Sequence, residues 1–250
     1  MIRQVGVALN IFVIVLALVV WAQHTGRAAP QTALAAALPL AIRPPFSLVP
    51  PTPPPTVTPA LLMVLPNDSY YIDAQNYLNV YGEVYNATGK VNTQVRIIAF
   101  AFNSNGSLVG QKYNDELVDP LPIRERGCFH IALQQPTNWS YYELQITNAG
   151  VSGARIANLA VLNLNGFYDA TDGSFTICGE IRSDDLRQVT NVGAVGTIYD
   201  RNDRVIGCRR GLANSVQLSP GQTSTFSLNF SERDYAEAWS YRVVATGGVP

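Results

Sequence analysis

The stretch from Gly82 to Gly110, shifted by 97 residues without a gap, lies on the stretch from Gly179 to Gly207. Gly82-Glu83-Val84 faces Gly179-Glu180-Ile181, Thr93 faces Thr190, Val95 faces Val192, and Leu108-Val109-Gly110 faces Val205-Ile206-Gly207. Leu121 faces Leu218 and Phe129 faces Phe226 under the same shift. Between Gly82 and Leu133 there are eight identities in 52 positions, against about three from ordinary composition. The remaining pairs keep apolar on apolar and turn residue on turn residue, so the span reads as an internal repeat. After a slip of three residues Trp139-Ser140-Tyr141 faces Trp239-Ser240-Tyr241, giving each copy a similar closing aromatic strand.

Each copy carries the punctuation of antiparallel β structure. Gln94 to Phe102 is rich in β-branched and aromatic residues with apolar side chains on both parities, the pattern of a strand buried on both faces. It runs into Asn103-Ser104-Asn105-Gly106, whose Asn and Gly tolerate positive φ, and the chain resumes as Ser107-Leu108-Val109-Gly110, a hairpin. In the second copy the same places are Val189 to Tyr199, Asp200-Arg201-Asn202-Asp203 and Arg204-Val205-Ile206-Gly207. A Pro220-Gly221 turn then leads into Thr225-Phe226-Ser227-Leu228-Asn229-Phe230, whose period of two buries one face only. The expected fold is all-β, with two tandem small antiparallel β-sandwich domains, residues 67–150 and 151–250, joined at a flexible Asn148 to Gly153. Domains so connected touch along a small, partly polar interface.

These residues resemble the FxLYD domain, a small β-sandwich of secreted and membrane-anchored bacterial and archaeal proteins. The resemblance rests on the Gly-Glu-Val opening, the apolar strand into Ile198-Tyr199-Asp200, the Asn turn with its Val-Ile-Gly strand, then Leu218-x-Pro220-Gly221 and Phe226. The second copy matches better, since the first has Ala101-Phe102-Asn103 for the Tyr-Asp pair and lacks the Pro-Gly order in Leu121-Pro122-Ile123-Arg124. The resemblance implies a non-catalytic extracytoplasmic module and transfers no site residues.

Ahead of the repeats, Val5 to Ala22 is an apolar run of 18 residues preceded by Arg3, long enough to cross a hydrocarbon core of about 30 Å. Residues 1–28 therefore read as a signal anchor or a long signal peptide, with the rest of the chain placed outside the membrane. Residues 29–66 hold 11 of the 16 prolines, and proline excludes helix and central strand. That segment reads as an extended linker with a reach on the order of 100 Å. Leu61 to Leu65 reads as a first strand of the folded body.

Lys and Arg number 17 against 18 Asp and Glu, so no basic patch argues for nucleic acid. Catalysis has few candidates. Cys128 and His130 share a strand face and form an imaginable dyad, although Thr225 and Ser227 at the matching places read as solvent-facing. Asp169 to Gly173, Asp184-Asp185 and Asp200 to Asp203 read as Asx-type turns and not as metal loops. No zinc spacing, phosphate loop or cofactor motif occurs, and Glu83 and Glu180 fall in separate copies as strand residues. Cys178 and Cys208, 30 residues apart in the second copy, are expected to pair as a disulfide between neighbouring strands and leave Cys128 as a thiol or an intermolecular link. The alternative is two buried free cysteines. Tyr71, Tyr77, Tyr141 and Tyr142 are the aromatics expected on a binding face for a cell-surface protein or a polysaccharide. The chain is thus expected to be a membrane-tethered, non-catalytic binding or display module. The alternatives are an accessory subunit of an envelope complex pairing through sheet edges and, last, an unrecognised hydrolase.

Overall fold

The computed structural model describes residues 61–153 and 155–250, which fall within one compact unit and carry fourteen β-strands and no helix. The apolar run Val5–Ala22 and the proline-rich stretch through residue 60 lie outside the described residues. Among the described residues no helix is long and apolar enough to cross a membrane. In the first half the strands are β1 (Leu62–Val64), β2 (Ser69–Ile72), β3 (Tyr77–Asn86), β4 (Asn92–Asn103), β5 (Leu108–Asp115), β6 (Arg126–Gln134) and β7 (Trp139–Val151). In the second they are β8 (Leu159–Asp169), β9 (Ser174–Ser183), β10 (Val189–Tyr199), β11 (Val205–Leu212), β12 (Gln217–Leu218), β13 (Thr223–Phe230) and β14 (Ser240–Gly248).

Every pairing is antiparallel, and four sheets result. Sheet A sets β3 between β6 and the consecutive short strands β1 and β2; sheet B has the order β5-β4-β7. Sheet C sets β10 between β14 and the pair β11 and β12; sheet D has the order β13-β9-β8. The pleat sends alternate side chains to opposite faces, and burial shows what each face meets. Leu78, Val80 and Val84 of sheet A, with Phe129 and Ile131, lie against Val95, Ile97, Ala99 and Ala101 of sheet B. Ile177, Ile181, Phe226 and Leu228 of sheet D lie against Val192, Ala194 and Ile198 of sheet C. The remaining faces of A and C meet each other, where Tyr81 and Cys128 share a cluster with Val195, Tyr199, Val205 and Cys208. The order of layers is B, A, C, D. The A–C seam is therefore a core in its own right, larger and more apolar than the small polar interface expected from a short joint.

A shift of 97 residues carries the bounds of β3 onto β9, of β5 onto β11 and the start of β6 onto β13. The irregularities repeat as well. Gln94 (φ 52°) and Asn191 (φ 53°) occupy the same bulge, and the Asn92–Leu121 bridge recurs as Val189–Leu218. The repeated Gly82 and Gly179 have a packing reason, because a Cβ there would lie 2.5 Å from the ring of Phe129 and 3.1 Å from that of Phe226. Each Gly sits directly across from its Phe on the neighbouring strand, so the four repeated residues form one interaction made twice.

Several expectations need correction. β1 falls where Leu61 to Leu65 reads as a first strand, so that expectation holds and it is the boundary at residue 67 that moves back, sheet A beginning inside the stretch also read as linker. Asn148 to Val151 belongs to β7 and not to a loose joint. β4 alternates buried and partly buried residues and so covers one face only, whereas β3 and β10 are buried on both. The expected Cys178–Cys208 disulfide is absent: Cys208 pairs with Cys128 across the seam, and Cys178 is free. The pleat explains why. Ile177 and Ile181 point into the C–D core, so Cys178 points to the outer face of sheet D, while Cys208 points the other way, toward sheet A.

Candidate functional site

The seam opens at one end into a cleft built from three connections. The bend from Leu65 to Asp68 between β1 and β2 is fixed by Leu65 N–H donating to Glu83 O at 2.8 Å and by Val205 N–H donating to Asn67 O at 2.8 Å. The Asp200 turn between β10 and β11 is held by the Asn202 and Arg204 amides donating to Asp200 Oδ1 at 2.8 and 2.9 Å. Burial pushes Asp200 up, but those amides and the Arg204 guanidinium outweigh it and hold the carboxyl below its ordinary value. The third connection, residues 231–239, is tied back by Tyr235 N–H to Gly173 O and Trp239 N–H to Tyr199 O, both at 2.9 Å.

Between these connections lies a hollow of about 340 Å³ lined by Asp68, Tyr70, Tyr71, Tyr142, Arg204 and Arg233, among others. Arg204 and Glu237 also line an adjoining hollow of about 430 Å³ that reaches Arg201 and Trp239. Tyr70 stands edge-on to Trp139 at 5.4 Å and to Tyr142 at 5.8 Å between ring centroids. Tyr70 is 52% exposed and Trp239 64% exposed, so the cleft presents an aromatic at each end. Guanidinium groups cover two of the rings, Arg233 over Tyr71 at 5.1 Å and Arg201 over Trp239 at 4.8 Å. The Tyr142 hydroxyl donates to Asp68; burial, and then that bond, raise its pKa.

Beneath the cleft the seam holds two polar arrangements. Glu83, fully buried, accepts from Asn67 Nδ2 and from the Tyr199 hydroxyl, each at 2.7 Å, with Arg126 at 3.6 Å and Arg242 at 3.9 Å. Burial raises the Tyr199 pKa, and the facing Glu83 carboxylate adds to it. Its counterpart Glu180 keeps the first of these contacts, from Asn163 Nδ2 at 3.1 Å, on an open face. The second arrangement is a row in which Asp73 Oδ2 accepts from Asn79 Nδ2 at 3.0 Å and Asn79 Oδ1 meets His130 Nε2 at 2.8 Å. The His130 ring stacks on Tyr81 at 4.3 Å, and burial lowers its pKa.

His130 is therefore not solvent-facing, and the dyad considered for it cannot operate because the sulfur of Cys128 is bonded to Cys208. Thr225 and Ser227 mislead here: among the described residues no sheet covers the equivalent face of sheet D, whereas sheet C covers the face of sheet A that carries Cys128. Asp169 and Asp172 form turns, with the Thr171 amide on Asp169 Oδ1 at 2.8 Å and the Ser174 amide on Asp172 Oδ1 at 2.9 Å. Among the described residues no three His, Cys, Asp or Glu side chains are grouped to hold a metal. Of the four tyrosines read as binding aromatics, Tyr71 and Tyr142 meet in the cleft. Tyr77 stands exposed at the start of β3, and Tyr141 lies on the outer face of sheet B, stacked on Phe102 at 5.2 Å. Tyr70, one of the tyrosines crowding the first copy that sequence reasoning also considered for binding, joins Tyr71 and Tyr142 there. Sequence reasoning missed Arg204, Arg233 and Trp239, because the cleft exists only where the halves meet; the exposed Trp in a turn-rich stretch was the available signal.

No protein-family model and no curated protein matches the chain. Among solved structures it is similar to red sea bream transglutaminase, at 12% identity over 76% of this chain and 29% of that one, with a TM-score of 0.23. A calcium-binding mutant of Bacteroides uniformis β-glucuronidase 2 is similar at 16% identity over 72% of this chain and 26% of that one, also with a TM-score of 0.23. The chain thus spans less than a third of the length of either.

Proposed function

We propose that the chain is a non-catalytic binding module made of two copies of one sandwich unit, of the kind the FxLYD resemblance implies. In this reading it is held outside a membrane by residues 1–28 and takes its ligand in the seam cleft. The observation that carries the reading is the cleft itself, with Tyr70 and Trp239 exposed at its ends and paired Arg and carboxylate groups along its walls. Exposed rings that offer flat apolar area beside fixed hydrogen-bonding groups suit a sugar polymer or a peptide segment of a cell-surface protein. The near balance of charge along the walls favours a neutral polysaccharide over an anionic one.

The test is co-sedimentation of the full-length chain with insoluble cell-wall polysaccharide from its host, alongside Tyr70→Ala/Trp239→Ala. Removing two exposed rings should weaken retention at least about tenfold, at roughly 1 kcal/mol or more per ring, in a protein that remains folded at the assay temperature. Equal retention of both proteins, or retention of neither, would remove the cleft as a polysaccharide site.

A further inference from the structure

The bend and the turn that wall the cleft also shape a further hollow. Asp68 and Arg204 line the cleft, whereas their neighbours Asn67 and Asp203 line a hollow of about 440 Å³ together with Leu65, Pro66, Arg126 and Ser240. Tyr199 and Arg242, which line it too, are committed to the seam: the Tyr199 hydroxyl donates to Glu83, and Arg242 pairs with Glu125 and donates to Arg126 O at 3.3 Å. The other polar groups are not so committed. The Arg126 guanidinium comes only to 3.6 Å from Glu83, makes no hydrogen bond among the described residues, and belongs to a side chain 48% exposed. The Asp203 carboxylate and the Ser240 hydroxyl are exposed and likewise have no hydrogen-bond partner among the described residues. Asn67 gives its Nδ2 to Glu83, which leaves its Oδ1 buried without a partner. Nor does the repeat demand this set, since Asn67, Arg126 and Asp203 have Leu164, Thr223 and Gly106 as counterparts 97 residues away. A concave polar set that the fold does not repeat and that internal hydrogen bonds do not use is available to a ligand.

The unused groups decide the class of that ligand. A carboxylate set on Arg126 would meet the Asp203 carboxylate and the lone pairs of Asn67 Oδ1, and an ammonium set on Asp203 would meet the Arg126 guanidinium. A neutral group that both accepts and donates avoids either conflict. A secondary amide is such a group: its carbonyl can accept from Arg126 while its N–H donates to Asp203, both charge-assisted bonds. A methyl carried on that amide has Leu65 and Pro66 to lie against. Trp239, which immediately precedes Ser240, is 64% exposed and offers a flat surface for the face of a sugar ring beside the hollow.

We propose that this hollow takes the acetamido group of an N-acetylated amino sugar, with Arg126 and Asp203 reading the amide and Leu65 and Pro66 its methyl. The proposal rests on the polysaccharide reading of the cleft and names the class of sugar selected, a neutral polymer carrying N-acetyl groups. The hollow falls within the range of roughly 300–1,000 Å³ usual for small-ligand sites, which leaves room for the sugar ring that bears the group.

Isothermal titration calorimetry of the full-length chain, kept in a detergent without a sugar head group, tests this with three probes. They are the β-linked tetramer of N-acetylglucosamine, cellotetraose, and tetra-alanine acetylated at one end and amidated at the other. The two sugars share a backbone and differ at the acetamido group. The acetylated sugar should bind at least about tenfold more tightly than cellotetraose, because a site built around a hydrogen-bonding group rejects an analogue that lacks it. Asp203→Gly, which suits the left-handed backbone there (φ 58°), and Arg126→Thr should each bring the two sugars to within about threefold, with the cellotetraose affinity unchanged. An unaltered near-ultraviolet spectrum identifies variants that remain folded. Equal affinity of the wild type for the two sugars, a preference undiminished in both variants, or tetra-alanine binding as tightly as the acetylated sugar would each overturn the proposal. Equal affinity would leave the polysaccharide reading standing, whereas binding of neither sugar would remove both.

Discussion

Glu116 shows what the fold asks of a single side chain. The residue is 3% exposed, its Oε2 accepts the Val118 amide at 2.5 Å, and its Oε1 has no hydrogen-bond partner among the described residues. Gly127 leaves it room, since a Cβ there would lie 2.3 Å from Oε2. Burial pushes its pKa up to about 8, against the opposing pull of the Val118 amide. The folded protein therefore holds a proton that the unfolded chain releases near the ordinary carboxylate value. Stability should be highest at or below that value and decline as pH rises toward 8, by up to about 1.4 kcal/mol per unit. Above pH 8 the group contributes no further slope. Denaturant unfolding between pH 5 and pH 9 should show this decline in the wild type and a flatter profile in Glu116→Gln.

Among elements, the two halves solve the same turn with different residues. Gly221 (φ 77°) has Arg124 (φ 59°) as its counterpart, and Gly173 (φ 74°) has Asn76 (φ 66°). A left-handed conformation costs an ordinary L-residue about 1–2 kcal/mol, partly offset by the greater chain entropy glycine loses. Arg124→Gly should accordingly raise stability by up to about 1 kcal/mol, read as a higher unfolding midpoint at unchanged denaturant dependence. The missing Pro-Gly order in the first half is thus a strained version of the same connection. Strand spacing was legible because Gly82 meets Phe129 within sheet A and Gly179 meets Phe226 within sheet D, each pair leaving a local trace. Register at the last strand was not. Matching Trp139-Ser140-Tyr141 to Trp239-Ser240-Tyr241 aligns Tyr141 with Tyr241, yet Tyr142 pairs with Ala101 as Tyr241 pairs with Ile198. A slip of one residue changes the face, so Tyr241 packs in the C–D core while Tyr141 stands outside.

At the scale of the whole molecule the halves are joined through faces whose chemistry differs from that of their repeats. Cys128, Cys208 and Arg242 have Thr225, Gln111 and Glu143 as counterparts, so nothing repeated in the sequence marks the seam. This is why the cysteine pairing and the cleft escaped a reading based on one copy at a time. Cys128 and Cys208 are 80 residues apart, and closing a loop of that length stabilises by about 4.5 kcal/mol in the chain-entropy account. Cys128→Ser/Cys208→Ser should lose up to that amount in denaturant unfolding. In the unreduced, denatured wild type, alkylation should label one thiol per chain, on the peptide that carries Cys178; a label on Cys128 would reject the pairing. The same bond also bears on how the chain carries load. Tension applied between the amino-terminal side and the carboxyl terminus would pass from Cys128 to Cys208 through sulfur. The 80-residue span between them, about 270 Å of chain at full stretch, would be spared from extension, and β6 to β11 would keep their connection to one another while the ends were pulled.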